Sequence, residues 1–368
     1  FEHMMFQGSE NVPKEMHFRH IQEAGGSLNG STSYDRTNYY EKLPSNFLEL
    51  ALWLESDRMG FLLSAMTQDK LNNQKDVVIN ERLERYDNQP YGLAWEIIIS
   101  NLYPSGHPYS WPTIGYTEDI SGFTLEDVSF FFKKYYSPSN ASLVVAGNFD
   151  KSFTREKIEE YFGGIPDSVK IEKIKSSRFK IDSVKTLTRE ENVQLERIYL
   201  AWNTDILYGK DDASLDALGD ILSGSKNSRL YKNLVHEKEM AQDVSAFQYS
   251  GKAGGHFMII ATAKKGIPLD GIKDEIFKEL KVLKSDGVSD HELKRTKNGS
   301  KANFIFSLQN LDTMANQLNF YNYYLDEPNS FNFDLNRYNN VSNENIKKII
   351  GKYFENPYVE LRITPRKN

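Results

Sequence analysis

The sequence contains no cysteine, and this absence limits the chemistry that the chain can perform. Disulfide bonds and thiolate metal ligands are excluded, so any metal ion would have to be held by histidine and carboxylate side chains. The 7 histidines and 51 acidic residues are therefore the groups that matter for a metal site.

Long apolar runs are lacking as well. No stretch approaches the roughly 18 apolar residues that a membrane-spanning helix needs, so no membrane span is predicted. The first residues do not show the basic and then apolar layout of a signal peptide, although a targeting segment could precede Phe1. There is also no dense basic stripe, and 45 Lys and Arg against 51 Asp and Glu give a net charge of −6, which argues against nucleic acid as a partner.

The length of the chain indicates two domains. At about 150 residues per domain, 368 residues exceed one ordinary core. With 39% hydrophobic and 26% charged residues, the composition is typical of a globular protein.

One pattern of helix followed by strand occurs twice in the sequence. Thr124 is a predicted helix N-cap, with Asp127 in the capping-box position, and residues 141–146 form a predicted strand. The same order returns from Ser342 to Leu361, at an offset of 218 residues (342 − 124 = 218 and 361 − 143 = 218). The recurrence indicates two copies of one α+β unit.

A second match supports the duplication. Thr67 to Leu71 corresponds to Ser289 to Leu293 at an offset of 222 residues (289 − 67 = 222). We therefore predict two homologous domains, residues 1–180 and 181–368, joined by the polar stretch 168–192. Further predicted elements in the second domain are strands at 197–202 and 256–261 and a helix at 212–222.

Two stretches of the first half place ionisable groups among apolar residues. Glu2 and His3 precede Met4, Met5 and Phe6, and a helix is predicted over residues 69–87. On that helix Leu71, Val77 and Val78 predict an apolar stripe that includes Glu81, whereas Arg82 points elsewhere. A carboxylate on such a stripe costs several kcal/mol unless it is paired or binds a metal.

Each of these groups also has an ordinary explanation. Glu81 alone could form a salt bridge or be partly exposed, and His3 alone could be a hydrogen-bonded structural histidine. Their combination makes a metal site the stronger hypothesis.

The string FEHMMFQG resembles the end of H-x-x-E-H-M-x-F-x-G, the inverted zinc motif of the pitrilysin and insulysin peptidases, which include the mitochondrial processing peptidases. This resemblance to the inverzincins implies an α+β fold of two duplicated α/β-sandwich domains, LuxS/pitrilysin-like, each a mainly antiparallel sheet covered by helices. It also implies Zn²⁺ as cofactor. Glu2 falls on the catalytic position, His3 on the second ligand and Glu81 on the third.

The stretch from Gly25 to Tyr40 resembles the edge strand with which this family binds extended peptides. The residues implied in substrate binding are Asn29, Gly30, Ser31 and Thr32. Alternating polar residues and permissive glycines are consistent with this role. An ordinary exposed hairpin strand remains the alternative.

Three departures from the family pattern affect the expectation. The first histidine would lie two residues before Phe1, so this chain alone is expected to bind metal weakly and to be inactive. Gln74 replaces a supporting glutamate that some members carry. Val235 and Gln242 stand where the family has a substrate-binding arginine and tyrosine.

The sequence thus predicts a zinc-dependent endopeptidase that cleaves extended peptides. A homodimer, or a heterodimer with a family member that supplies the arginine and tyrosine, is expected, unless substrate is held in another way. The alternative function is a non-catalytic scaffold or peptide-binding subunit, because Asn303 stands at the position in the second half that corresponds to Glu81. A periplasmic or secreted location is preferred, and a cytoplasmic one is not excluded.

Overall fold

The computed structural model describes residues 1–168, 171 and 179–366. Numbered in chain order, its α-helices are α1 (Met16–Glu23), α2 (Leu48–Phe61), α3 (Gln68–Arg82), α4 (Ala94–Leu102), α5 (Thr117–Gly122), α6 (Leu125–Tyr135), α7 (Lys151–Phe162), α8 (Asp212–Ser223), α9 (Leu269–Ser285), α10 (Asp290–Ser307), α11 (Leu311–Leu325), α12 (Phe331–Asn339) and α13 (Asn343–Ile349). The β-strands are β1 (Ser27–Thr32), β2 (Thr37–Lys42), β3 (Lys185–Glu191), β4 (Arg197–Thr204), β5 (Ala241–Ser250), β6 (Gly255–Ala263) and β7 (Val359–Pro365). Within the described ranges, every helix is too short or too polar to cross a membrane.

The described residues form two compact units, and neither is continuous along the chain. The first comprises the described parts of 1–82, 113–173 and 306–330, and the second those of 83–112, 174–305 and 331–368. Helix α11, from the second half of the sequence, thus belongs to the first unit, and α4, from the first half, to the second. The boundary between homologous domains at residues 180 and 181 stays a prediction.

The second unit is built on a five-stranded sheet of order β3-β7-β4-β6-β5. Strands β3 and β7 are parallel and all other neighbours are antiparallel. Helical segments pack on both faces of this sheet. The adjacent residues His256 and Phe257 of β6 point to opposite faces, and each contacts a helical segment. His256 contacts Trp95 of α4, with ring centroids 5.0 Å apart, and Phe257 contacts Phe354, also at 5.0 Å. The predicted α+β fold with a mainly antiparallel sheet is confirmed.

Three predicted elements of this unit, two strands and one helix, are confirmed. The predicted strands at 197–202 and 256–261 lie within β4 and β6, and the helix at 212–222 is α8. In β4 the five residues 198–202 are all buried, so they read as an uninterrupted apolar run.

The repeated helix starts are also confirmed. Thr124 and Asp127 form a capping box at the start of α6, and Ser342 and Asn345 form the corresponding box at α13. Helices α3 and α10 begin at Gln68 and Asp290, which keeps the second offset (290 − 68 = 222).

The predicted strand at 141–146 is wrong for the first copy. Its counterpart β7 pairs with both β3 and β4, whereas residues 141–146 pair with no strand among the described residues, and Leu143 is 47% exposed. A strand requires a neighbour to receive its main-chain hydrogen bonds, which the local sequence cannot guarantee. The polar stretch 168–192, predicted as a linker, contains β3 near its end, while residues 169–170 and 172–178 lie outside the described residues.

In the first unit, Glu2–Phe6 form a short 3-10 helix. Met4 packs with Leu71 and Val128, and Met5 packs with Leu62 and Phe132. The two methionines are 3% and 4% exposed, so they anchor this helix in the interior.

A group of buried charges lies behind the hairpin of β1 and β2. His17 of α1 is 2.7 Å from a carboxylate oxygen of Glu41 on β2. Arg58 of α2, which is 2% exposed, donates from Nε to Glu55 (2.9 Å), and its guanidinium lies over the ring of Tyr39 at 4.5 Å. Such a cluster is costly to bury and holds together only while its charges remain balanced.

The two titratable groups of the first pair respond to pH in opposite directions. Burial, reinforced by Arg58, lowers the pKa of His17 to about 4. Burial raises the pKa of Glu41 to about 7, although Arg58 opposes this shift. His17 therefore disfavours the folded state as pH falls from about 6.5 to 4, and Glu41 disfavours it as pH rises from about 4.5 to 7.

Replacing one partner should unmask the pH dependence of the other. His17→Gln is expected to lose stability as pH rises from about 4.5 to 7, because Glu41 binds more protons in the folded than in the unfolded state in this range. Glu41→Gln should instead lose stability as pH falls from about 6.5 to 4, through the range in which His17 titrates. Each change is at most about 3.4 kcal/mol, from roughly 2.5 pKa units at about 1.36 kcal/mol per unit. Urea unfolding of both variants across this range measures the slopes, and parallel slopes would contradict the assignment.

Candidate active site

The structure brings His3 and Glu81 together although 78 residues separate them. His3 lies on the 3-10 helix and Glu81 in the last turn of α3. The His3 Nε2 atom is 3.4 Å from Glu81 Oε2, and the two side chains are 33% and 26% exposed. His3 thus lies beside the Glu81 carboxylate.

The geometry of this pair fits a zinc ion. Two ligands bound at about 2.1 Å to a tetrahedral ion lie about 3.4 Å apart. The nitrogen and the carboxylate oxygen have this separation, and imidazole with carboxylate is a donor set that zinc accepts. Among the described residues, no third His, Asp or Glu completes a three-donor group with them.

Gln74 fixes the orientation of the His3 ring. Its Oε1 lies 3.2 Å from His3 Nδ1, and its Nε2 donates to Asn73 at 3.0 Å, which identifies the oxygen as the atom facing the imidazole. Because this oxygen only accepts hydrogen bonds, His3 donates to it from Nδ1. This contact holds the ring so that Nε2 faces Glu81.

Glu2 faces β1 at a glycine. A Cβ atom on Gly30 would lie 2.9 Å from Glu2 Oε1, closer than side chains normally approach. The other carboxylate oxygen, Oε2, accepts a hydrogen bond from the Thr32 hydroxyl. Glu2, Gly30 and Thr32, singled out in the sequence, thus lie together.

Strand β1 presents main-chain groups on the edge that faces away from β2. Ser33 N–H donates to Arg36 O (2.8 Å) across a two-residue loop, and bonded and non-bonded pairs alternate from there. Asn29 and Ser31 therefore bond to β2, and Gly30 and Thr32 turn outward. The Gly30 N–H indeed donates to the Asn29 side chain, at 2.8 Å, rather than to β2.

The predicted stripe on α3 is partly wrong. Val77 is 41% exposed, whereas Arg82 is buried at 6% and donates to Gly115 O at 2.9 Å. The buried face instead includes Leu71, Gln74 and Arg82. Arg82 buries its stem while its Nη1 reaches a carbonyl oxygen, which a hydrophobic pattern does not reveal.

The second half carries none of the corresponding groups. Val235 packs against the core of the second unit, Gln242 is exposed on β5, and Asn303 is exposed on α10. These positions offer neither the arginine and tyrosine nor a metal-binding carboxylate.

His17, Glu41 and Glu55 are the three-donor group that the described residues do contain, with ligand atoms within 4.8 Å of one another. Arg58 already supplies a positive charge to these carboxylates. A divalent cation beside a buried guanidinium would be strongly repelled. This group is therefore explained as a buried ion cluster.

Two family sequence models match the chain. Residues 1–108 match "Insulinase (Peptidase family M16)", and residues 122–300 match "Peptidase M16 inactive domain".

Individual proteins are similar over most of the chain. A zinc protease, PqqE, from Helicobacter pylori is 29% identical over 85% of this chain and 71% of its own length. A probable mitochondrial-processing peptidase subunit beta from Arabidopsis thaliana is 22% identical over 86% of this chain and 60% of its own.

Solved structures have the same fold. A protease from Helicobacter pylori matches with a TM-score of 0.90 at 26% identity, covering 99% of this chain and 88% of that one. The periplasmic protease PqqL from Escherichia coli matches with a TM-score of 0.78 at 15% identity, covering 98% of this chain and 39% of that one.

The contact between Gln74 and His3 predicts a role in metal affinity. In the full-length protein, Gln74→Leu should weaken zinc binding by about 10- to 100-fold, because the ring loses the acceptor that fixes its tautomer. Gln74→Glu keeps an acceptor and should bind zinc at least as tightly as the unaltered protein. Competition with a chromogenic chelator measures both, and unchanged affinity in the leucine variant would show that the contact does not matter.

Proposed function

The chain belongs to the M16 peptidase family, and on that basis we propose that it is a zinc-dependent endopeptidase with Glu2 as its general base. The observation that carries this proposal is the 3.4 Å approach of His3 to Glu81, with Glu2 on the same helix as His3. The names of the relatives, zinc proteases, support the metal and the reaction class.

His3 and Glu81 would hold the zinc ion together with a further ligand. When bound, zinc would polarise the scissile carbonyl and make water easier to deprotonate. Glu2 takes the proton from the attacking water and then delivers it to the leaving amine. Its Oε1 faces Gly30, so the proton is received beside β1.

The substrate binds as an added strand along the outward edge of β1. The main-chain groups of Gly30 and Thr32 face this edge, and a peptide carbonyl can replace the Asn29 side chain as acceptor for the Gly30 N–H. The proposed contact residues are Asn29, Gly30, Ser31 and Thr32. Main-chain pairing favours extended peptides and tolerates many side chains.

We further propose that residues 1–180 and 181–368 are homologous domains and that a second subunit completes substrate binding. Val235 and Gln242 lack the side chains for this task. One relative is named as a subunit, which supports a multisubunit arrangement. Purification of the full-length protein as an active monomer would exclude it.

For location, we propose the periplasm or an exported state, with the cytoplasm as the alternative. Support comes from the fold, which is shared with the periplasmic protease PqqL from Escherichia coli. Fractionation of cells that express the full-length protein would decide between these compartments.

The general base can be tested directly. In the full-length protein, Glu2→Gln should reduce kcat by about 100- to 10,000-fold, because the amide cannot accept the proton, while the zinc content stays unchanged. Glu126→Gln, on an exposed helical position, is the matched control. If the Glu2 variant keeps full peptidase activity with zinc bound, the assignment fails. If the unaltered full-length protein binds zinc but cleaves no peptide, the scaffold function is favoured.

The contact between Gly30 and Glu2 provides a second test. Gly30→Ala should lower kcat/KM by about 100-fold, because the new methyl group pushes the Glu2 carboxylate out of the position from which it exchanges the proton. The fold should remain intact, since a flexible side chain can yield. Gly299→Ala is a suitable control, as a Cβ there meets no atom within 4 Å. Equal activity of the two variants would argue against Glu2 working at this edge.

A further inference from the structure

A series of hydroxyl groups leads from the carboxylate of Glu2 into the interior of the first unit. The Thr32 hydroxyl donates to Glu2 Oε2 and lies 3.3 Å from the hydroxyl of Thr37. Burial raises the pKa of Tyr136 and Thr37 contributes to lowering it, and the Tyr136 phenol lies 2.7 Å from the phenol of Tyr39. None of these contacts involves a metal ligand.

The direction of the hydrogen bonds follows from the chemistry of the two ends. An ionised carboxylate only accepts hydrogen bonds, so the Thr32 proton is committed to Glu2. Thr37 must then donate to Thr32. The Thr37 hydroxyl thus polarises the Thr32 hydroxyl toward Glu2. Burial raises the pKa of both phenols, Tyr39 and Tyr136, so both keep their protons.

The hairpin places the two threonines for this arrangement. Thr32 and Thr37 are register partners in the β1–β2 pair, immediately beside the two-residue loop. By the alternation of pairs, theirs is a non-hydrogen-bonded pair, in which side chains approach most closely. The two hydroxyl groups therefore lie on the face of the hairpin that is turned toward Glu2.

The inner end of the series is held rigidly. The ring of Tyr39 lies against the guanidinium of Arg58, 4.5 Å from the ring centroid. The ring of Tyr136 stacks on Phe132 with centroids 5.7 Å apart and an angle of 15°. Neither phenol is free to turn away, so the hydroxyl series has a fixed origin.

We propose that Thr32 is a positioning residue for Glu2, with Thr37 as its support. The hydroxyl holds Oε2, and this leaves Oε1 directed at Gly30 as the oxygen that exchanges the proton. The inference rests on the proposed function, because it assigns separate roles to the two oxygens of the general base. It also changes the expected role of Thr32, whose side chain serves Glu2 while its main chain faces the substrate edge.

The experiment compares two substitutions in the full-length zinc-loaded protein. Thr32→Val removes the hydroxyl but keeps the branched shape, and Thr32→Ser keeps the hydroxyl. We expect kcat to fall about 10-fold or more in the valine variant, with KM and zinc content near those of the unaltered protein, because an oriented group is lost rather than a binding contact. The serine variant should recover most of kcat. Thr188→Val, at an exposed position of β3, controls for the general effect of this substitution in a strand.

The second hydroxyl should matter less. Thr37→Val removes it without touching Glu2, so kcat should fall by a smaller factor than with Thr32→Val. A valine variant at position 32 with unaltered kcat would overturn the proposal. Equal losses in the valine and serine variants would do so too, since the methyl group rather than the hydroxyl would then be responsible.

A measurement without activity tests the contact itself. In metal-free protein, Thr32→Val should lower the urea midpoint, and this shift should shrink when Glu2 is replaced by leucine. An identical shift in both backgrounds would overturn the proposed contact. Failure of the proposed function is recognised separately: full activity of Glu2→Gln removes the general base, whereas an inactive Glu2→Gln with a fully active Thr32→Val removes only the positioning role.

Discussion

The buried guanidinium of Arg58 is the interaction on which the arrangement of the first unit depends. It lies against the rings of Phe6, at 5.2 Å, and Tyr39, at 4.5 Å, and it binds Glu55 of its own helix. Phe6 ends the 3-10 helix that carries Glu2 and His3, and Tyr39 is the register partner of Gly30. Arg58 therefore contacts both the 3-10 helix that carries Glu2 and His3 and the strand that pairs with β1. Its desolvation is tolerable because carboxylates and ring faces replace water.

Local sequence was sufficient where the signal was local. The helix starts at Thr124 and Ser342 follow from capping residues, and β4 follows from an apolar run, since both signals arise within a few residues. The strand at 141–146 failed because pairing depends on neighbours elsewhere in the chain. The predicted positions of Val77 and Arg82 on α3 were wrong because hydrophobic periodicity assigns an apolar residue to the interior and a charged residue to the surface. A long stem and one carbonyl acceptor are enough to bury Arg82.

The candidate site shows the same division. Motif spacing indicated Glu2, His3 and Glu81, and the structure brings the last two into contact. Gln74 was visible only as a departure from a pattern, yet its oxygen still orients the imidazole. Thr37 and Tyr136 carried no signal at all, because threonine and tyrosine occur throughout such a chain. Their relation to Glu2 arises from strand register and from the end of α6, which only three-dimensional structure supplies.

The hydrogen bond from Gly30 N–H to the Asn29 side chain has a consequence for solubility. A strand edge that stays open for peptides is also open to the edge of another copy, and such pairing leads to aggregation. The side-chain oxygen of Asn29 accepts a hydrogen bond from the outward-facing N–H of Gly30, so this donor already has a neutral partner. The edge of a second copy would have to displace the Asn29 side chain in return for main-chain pairing alone. A bound peptide also gains contacts with the rest of the site. The same residue can thus keep the edge accessible to peptides and discourage self-association.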